Sequence, residues 1–566
     1  MAVATICARL DGLPLAIELA AARIKVLPPV EMAERLRRPL HVLMTGGARD
    51  LPARQRTLRE TLDWSHDLPS PSERRQFRRL AVFRGGWSLE VAESVAGSER
   101  SEIGEDGSSA GSVLDAMAAL VGSSLVRVTE GAGGAPRFSM LETVGEYARE
   151  RLAEGGDERP CRSRHAHVFL ALAERLDADL RGSGHLAARD RLTADIDNLR
   201  AAVDWAIGSG ETELALRLTA ALYWPWLQLG LFREGLRCSA AALALPGGPG
   251  RSVMRARALL AAGSFAWHQG DPDTARGQLD ESAALSSELE DRQGQGLAAL
   301  CLGLLALSRG EQAVAQSRLL ESVAHFRAVG DGWHLANALF ILGNAAVKND
   351  PETARTLYEE SLSRFRGLGD PWGIAWPLTG LGGIALQRGE WSTARTLFME
   401  GLALRRELRD PWGMAISLTS LGDAARRAGD RDEAETFLVE GLSLLRELGD
   451  QERVAWALHT LGCVAADRGD GRRAYACFIE SLALRQAQGH RPGMASSLVG
   501  LARIAAADAP ERAARLLGPA DAARDGGRFD AGADERIAEE RLLATVRGVL
   551  GQKAFAAAWD AGRAWP

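Results

Sequence analysis

Lysine is almost missing from this chain: of 68 basic residues only Lys25, Lys348 and Lys553 are lysines, and the rest are arginine. With Ala and Gly abundant, this is the coding pattern of a GC-rich bacterial genome. It also bears on chemistry. A phosphate-binding loop of the type Gly-x-x-x-x-Gly-Lys-Ser/Thr needs its lysine to neutralise phosphate held on backbone N–H groups, and none of the three lysines lies in such a loop. Six cysteines occur, at 7, 161, 238, 301, 463 and 477, with no Cys-x-x-Cys pair; they read as reduced core residues rather than disulfides or metal ligands. There is no Gly-x-Ser-x-Gly, no His-Glu-x-x-His and no Cys/His cluster, so no catalytic or metal constellation is expected. Arg164-His165-Ala166-His167 puts its histidines two apart, on different faces of a helix. No apolar run approaches the ~18 residues of a membrane span, and the N-terminus lacks a signal peptide's basic start and cleavage site. A cytoplasmic protein with no membrane partner is expected. The net charge of −6 gives no global pull toward nucleic acid.

What the chain has instead is an internal repeat of forty residues. Leu-Gly recurs at Leu302-Gly303, Leu342-Gly343, Leu381-Gly382, Leu421-Gly422 and Leu461-Gly462, then as Leu501-Ala502. Ala315, Ala354, Ala394, Ala434, Ala474 and Ala514 follow in register, and Leu319, Tyr358, Phe398, Leu438 and Phe478 stand four residues after the first five of these. Turns read Asp331-Gly332-Trp333, Asp370-Pro371-Trp372-Gly373 and Asp410-Pro411-Trp412-Gly413. Self-similarity at this period means a solenoid or array. Apolar spacing is helical, as in Leu418, Leu421 and Ala425, then Phe437, Leu438, Leu442 and Leu445. Each unit is therefore two helices, with small residues where the two approach closely.

The pattern resembles the tetratricopeptide repeat, whose usual unit is about 34 residues. Upstream, Leu10-Asp-Gly-Leu-Pro-Leu-Ala-Ile-Glu-Leu-Ala-Ala-Ala-Arg23 is similar to the Gly-Leu-Pro-Leu-Ala motif of STAND-class signalling ATPases, which include the NB-ARC proteins. The resemblance implies a small helical domain following an ATPase core, with Gly12, Leu13 and Pro14 on the adenine side of a bound nucleotide. No such core lies within the chain, so the expectation is the C-terminal part of a longer architecture. ATP or ADP belongs only to that architecture, and this chain is expected to carry no cofactor and to be no enzyme.

Residues 46–150 read as a winged helix: helices over Gln55–Ser65, from the capping box at Ser70–Glu73 to Phe83, over Ser88–Val95 and over Val113–Val121, then strands Leu125–Val128 and Arg137–Met140 around a Gly131–Gly134 wing. Arg54–Ser65 and Met140–Ala148 are similar to bacterial STAND regulators of the SARP and LuxR types. The second string aligns with the family's Met-His-Asp switch, where the His contacts ADP; Leu141 stands there and has no donor. Eight arginines (54, 56, 59, 74, 75, 78, 79, 84) against four acids over 51–84 form a local basic patch. In the family this domain is a nucleotide-state switch, so direct DNA binding is not expected.

The fold class read from the sequence is mostly α, a winged-helix domain followed by an α-solenoid. Its parts are a helical subdomain at 1–45, the winged helix at 46–150, a connector with a degenerate first repeat at 151–250, repeats at 251–510 and a helical cap at 511–566. The function expected is a sensory and protein-interaction module of a STAND-type transcriptional regulator, partnered by a protein or small-molecule inducer and by an ATPase module. A freestanding scaffold and a winged-helix DNA-binding regulator are the alternatives. Taking Leu-Gly as positions 7 and 8, the groove positions 2, 5, 9 and 12 of the first helices are Asn337, Phe340 and Asn344; Trp376 and Thr379; Ile416, Thr419 and Asp423; Trp456 and His459. Trp376 and Trp456 are the expected anchors.

Overall fold

The computed structural model describes residues 2–9, 28–35, 58–97, 112–131, 134–246, 250–524 and 533–564. Gly12, Leu13 and Pro14 lie outside these, as do Arg54 and Arg56. The chain forms two compact units, Met1–Leu180 with Leu186–Gly294, and Arg181–His185 with Gln295–Pro566.

The first unit opens with α1 (Ala2–Arg9), α2 (Pro29–Arg35) and α3 (Leu58–Asp67). The winged helix follows as α4 (Pro71–Leu80), α5 (Leu89–Ala96), α6 (Val113–Gly122), β1 (Arg127–Glu130) and β2 (Pro136–Ser139). Helix α4 starts as the sequence dictates. The Glu73 carboxylate accepts the Ser70 N–H at 2.7 Å and Ser70 Oγ accepts the Glu73 N–H at 3.4 Å, with Pro71 in the first turn. The strands pair antiparallel with Val128 opposite Phe138, and Trp87 adds a one-residue bridge to Phe138. The first strand begins two residues later than the alternation suggests, because the N–H groups of Leu125 and Val126 turn back to the Leu120 carbonyl and finish α6. Phe77, Leu80, Trp87, Val95, Met117, Leu120 and Tyr147 fill the core.

Helices α7 (Glu142–Glu154), α8 (Glu158–Asp179), α9 (His185–Gly208), α10 (Thr212–Ala221), α11 (Tyr223–Gln228) and α12 (Phe232–Leu243) lead into the array. Tyr147 on α7 donates its hydroxyl to Asp63 on α3 at 2.7 Å. Asn198 on α9 accepts the Arg84 N–H at 2.7 Å and donates to the Gly86 carbonyl at 2.7 Å, while Arg137 of β2 pairs with buried Asp195 at 2.8 Å. These bonds fasten the turn after α4 and the wing strand to one connector helix.

Among the described residues seven helix pairs follow: α13/α14 (Val253–His268, Pro272–Glu288), α15/α16 (Arg292–Ser308, Gln312–Val329), α17/α18 (Gly332–Ala346, Pro351–Leu368), α19/α20 (Pro371–Gln387, Trp391–Glu407), α21/α22 (Pro411–Ala428, Arg431–Leu448), α23/α24 (Gln451–Asp467, Gly471–Ala487) and α25/α26 (Arg491–Ala505, Pro510–Arg524). The repeat thus starts one pair before the first Leu-Gly, with Ala262-Gly263 in its place, and its last second helix runs past residue 510. A Cβ on Gly303, Gly343, Gly382, Gly422 or Gly462 would come within 2.8 Å of Leu319, Tyr358, Phe398, Leu438 or Phe478 respectively. The repeated glycine and the repeated large residue are therefore one contact, the crossing of the two helices of each pair. The turns are equally local. Gly330, Gly369, Gly429, Gly449 and Gly469 take positive φ and end one helix, and the next residue, always Asp, accepts a backbone N–H of the helix it starts. Successive second helices are linked by Arg366–Glu400 at 2.6 Å, Arg406–Glu440 at 3.5 Å and Arg446–Glu480 at 2.6 Å. A final helical segment, α27 (Ala533–Arg563), bends at Gly551 and packs Val546, Phe555 and Ala558 against Ala514 and Leu517.

Candidate functional site

The Asp-x-Trp turns build a connected chain of aromatic and carboxylate contacts along the array. Asp370 caps α19, accepting the Trp372 N–H at 3.0 Å, while its other oxygen accepts the indole N–H of Trp333 at 2.7 Å from the preceding turn. Asp450 repeats this with Arg453 N–H at 3.1 Å and Trp412 at 3.0 Å. One carboxylate thus ends a helix dipole and fixes the indole of the neighbouring unit. The indoles then form a chain. Trp333 and Trp372 are stacked with centroids 6.3 Å apart, Trp372 meets Trp376 edge-on at 5.8 Å, and Trp376 meets Trp412 at 5.6 Å. Cations lie on their faces: Arg181 on Trp333 at 5.4 Å, Arg405 on Trp376 at 4.9 Å and Arg453 on Trp412 at 4.6 Å.

Arg405 is 1% exposed. It donates to Ser417 Oγ at 2.5 Å and to the Ala375 carbonyl at 3.4 Å, and burial lowers its pKa to about 10. It stands where the preceding units have Phe326 and Phe365. Arg485, two units on, repeats the arrangement with Ser497 at 3.1 Å.

The groove residues read from the register divide among these surroundings. Phe340 lies 6.1 Å from Trp376 and 5.8 Å from Tyr358, whose hydroxyl donates to Asn344 at 2.7 Å. Asn337 and Thr379 are half-buried, and Thr379 returns its hydroxyl to the Ala375 carbonyl at 3.0 Å. Ile416, Thr419 and Trp456 come together around a cavity of about 270 Å³ that Arg453, Arg485 and His490 also line. Trp456 is 38% exposed, but Thr419 is buried with its hydroxyl bonded to the Ala415 carbonyl at 2.8 Å. Asp423 is buried too, engaged by Arg426 at 3.1 Å and Arg427 at 2.9 Å, so it anchors arginines rather than opening toward the groove. His459 Nε2 sits 3.8 Å from Cys463 Sγ, and burial, with Arg485, Arg426 and Arg503 nearby, pushes its pKa down to about 3. Trp333, Trp372 and Trp412 were legible only as turn punctuation; their recurrence beside a capping Asp is the signal that marks them.

The first unit holds a larger cleft, about 1200 Å³, lined by Arg84, Met140, Leu141, Glu142, Arg149, Arg162, His165 and Trp205 among others. Arg149 is drawn down to about 10 by burial and then by Arg84 and Arg162. Of the basic patch, Arg59 pairs with Glu150 at 3.1 Å, Arg74 with Asp67 at 3.5 Å, and buried Arg79 reaches the Ala96 carbonyl at 3.3 Å. These three described members of the patch are engaged within the first unit. Helix α6, in the position of a recognition helix, has the sequence VLDAMAALVG with no cation, and Leu114 is 52% exposed on it. His165 is buried against Phe83 and Phe169 while His167 bonds its own helix at Ser163, so the two do not converge. Among the described residues no His, Cys, Asp and Glu group could hold a metal ion, and no helix is long and apolar enough to cross a membrane.

A family model of the winged helix-turn-helix domain matches residues 70–153. The chain carries a winged helix-turn-helix domain followed by a tetratricopeptide-like array. Its curated relatives include proteins named as HTH-type transcriptional regulators in Mycobacterium tuberculosis and Mycobacterium bovis, 41% identical over 236 residues, 42% of this chain and 25% of theirs. An uncharacterized Mycobacterium tuberculosis protein is 40% identical over 155 residues, 27% of this chain and 37% of its own length. The chain therefore spans about a quarter of the length of the first of these relatives. Among solved structures, the STAND protein with a tetratricopeptide repeat sensor from Pyrococcus horikoshii superposes with a TM-score of 0.55 at 15% identity, over 92% of this chain and 74% of that one. That likeness is one of fold.

Proposed function

We propose that this chain is the non-catalytic sensory and protein-interaction part of a bacterial transcriptional regulator. A partner protein or inducer is held on the first-helix face of the array, and its presence is relayed through the connector to the winged helix. The observation that carries this is the cation-backed indole row leading to half-exposed Trp456 above its cavity. Aromatic and arginine side chains dominate binding energy where they can be covered by a partner. The relay reading is supported by the bonds of Asn198 and Asp195 to the winged helix, and α6, without a cation, suits protein contact better than duplex DNA. ATP or ADP enters only through an ATPase module in the longer architecture, and Arg84 and Arg149 give the cleft beside Leu141 its donors.

The test is cross-linking capture of partners by the full chain and by its Trp456→Ala and Arg453→Ala variants. Both variants should lose the same captured species while keeping the wild-type melting profile. Identical capture by both folded variants would discard the groove assignment.

A further inference from the structure

The stretch Arg181–His185, which runs from the end of α8 to the first residue of α9, belongs to the second unit, while Leu180 before it and Leu186 after it belong to the first. Its side chains account for this. The Arg181 guanidinium lies 5.4 Å from the centre of the Trp333 ring. The His185 ring lies parallel to Trp372, 6.4 Å away at an interplanar angle of 9°, and is 1% exposed. Asp370, fully buried, holds the indole N–H of Trp333 at 2.7 Å, and a Cβ on Gly369 would stand 3.6 Å from the Ser183 Cβ. Two basic side chains on a Gly182/Gly184 turn therefore rest on two indoles and beside a buried carboxylate.

The equivalent site two units along, Trp412 with Asp450, supplies its own cation. Over Trp412 the cation is Arg453, three residues after the capping Asp450 and paired with it at 3.0 Å. Arg405, which packs at Gly413 as Phe365 packs at Gly373, lies over Trp376, four residues past the turn. At Asp370 the third residue is Gly373, whose missing side chain makes room for Phe365. The array has no arginine of its own in that place, and the cations come from a turn remote in sequence. Indole faces attract cations, and a buried carboxylate needs a compensating partner.

We propose that the Trp333–Asp370–Trp372 site is a receptor for a basic segment of a partner protein, and that Arg181 and His185 occupy it in cis until such a segment takes their place. The turn is a resident ligand, and its displacement is the event the connector would sense. This deepens the partner-binding reading above, but its test needs no partner and so fails or succeeds separately.

The probe is a labelled peptide with the sequence of residues 179–188, DLRGSGHLAA, followed by fluorescence anisotropy with the full chain. A tethered occupant competes at its effective concentration, so the Arg181→Ala/His185→Ala variant should bind the peptide at least about tenfold more tightly than wild type. Adding Trp372→Ala to that variant should abolish the gain. A folded double variant that binds no better than wild type, or binding that survives Trp372→Ala, overturns the proposal. On the wild-type chain, hexa-arginine should speed amide exchange across 181–185 several-fold while hexa-glutamate does not. Equal effects of the two peptides, or none from either, overturn it as well.

Discussion

Two adjacent glycines in one helix should respond oppositely to the same substitution. A Cβ on Gly382 would fall 2.4 Å from Phe398 Cε1, 2.8 Å from Cδ1 and 2.9 Å from Cζ, where carbon atoms prefer roughly 3.5–4.0 Å. Phe398 is 2% exposed and has nowhere to swing. Overpacking of this kind costs about 1–3 kcal/mol, set against about 1 kcal/mol gained by replacing a mid-helix glycine with alanine. Gly382→Ala should therefore destabilise the array by up to about 2 kcal/mol. The next residue, Gly383, has nothing within 4 Å of its would-be Cβ, so Gly383→Ala should stabilise by about 1 kcal/mol. Denaturant midpoints from far-UV circular dichroism on the full chain read both. If the two midpoints move together, the repeated glycine is not the helix crossing and the register is wrong. Trimming the ring with Phe398→Leu in the Gly382→Ala background should recover part of the loss, as expected of two residues in direct contact.

Arg409 occupies, at φ 50°, the helix-ending position that Gly330, Gly369 and Gly449 fill elsewhere; Arg409→Gly should raise stability by about 1 kcal/mol, read from the same midpoint. His165 is buried and its pKa is lowered from 6.5 to about 4 chiefly by that burial. The folded state then binds its proton more weakly than the unfolded state, so this contribution is complete above pH 6.5 and declines as pH falls toward 4, by roughly 3 kcal/mol in all. His165→Phe, which keeps the packing against Phe83 and Phe169, should flatten that part of the stability–pH curve; an unchanged slope would assign the acid sensitivity elsewhere. Calorimetry should find no sub-micromolar ATP or ADP binding to this chain, since it contains no lysine-bearing phosphate loop, and tight binding would overturn that reading.

Much of the architecture was written locally. The forty-residue period, the glycine opposite a large residue, the Gly-Asp turn and the Ser70 capping box each act within a helix pair or a single turn, so the sequence alone determined helix pairs, their ends and their crossings. The first wing strand starts two residues late because the closing of α6 claimed Leu125 and Val126, a competition that alternation does not encode. Register also named the first-helix positions. It did not separate open ones such as Trp456 from Asp423 and Thr419, which neighbouring arginines and backbone carbonyls consume. The indole chain, its cation suppliers and the place of the Arg181–His185 turn were decided by tertiary structure alone. Arg181 and Trp333 are far apart in the chain, and no periodicity links residues that meet only after intervening helices have packed. What a repeat specifies is the contact it makes with itself; what it offers to other groups depends on which side chains those internal contacts leave uncovered.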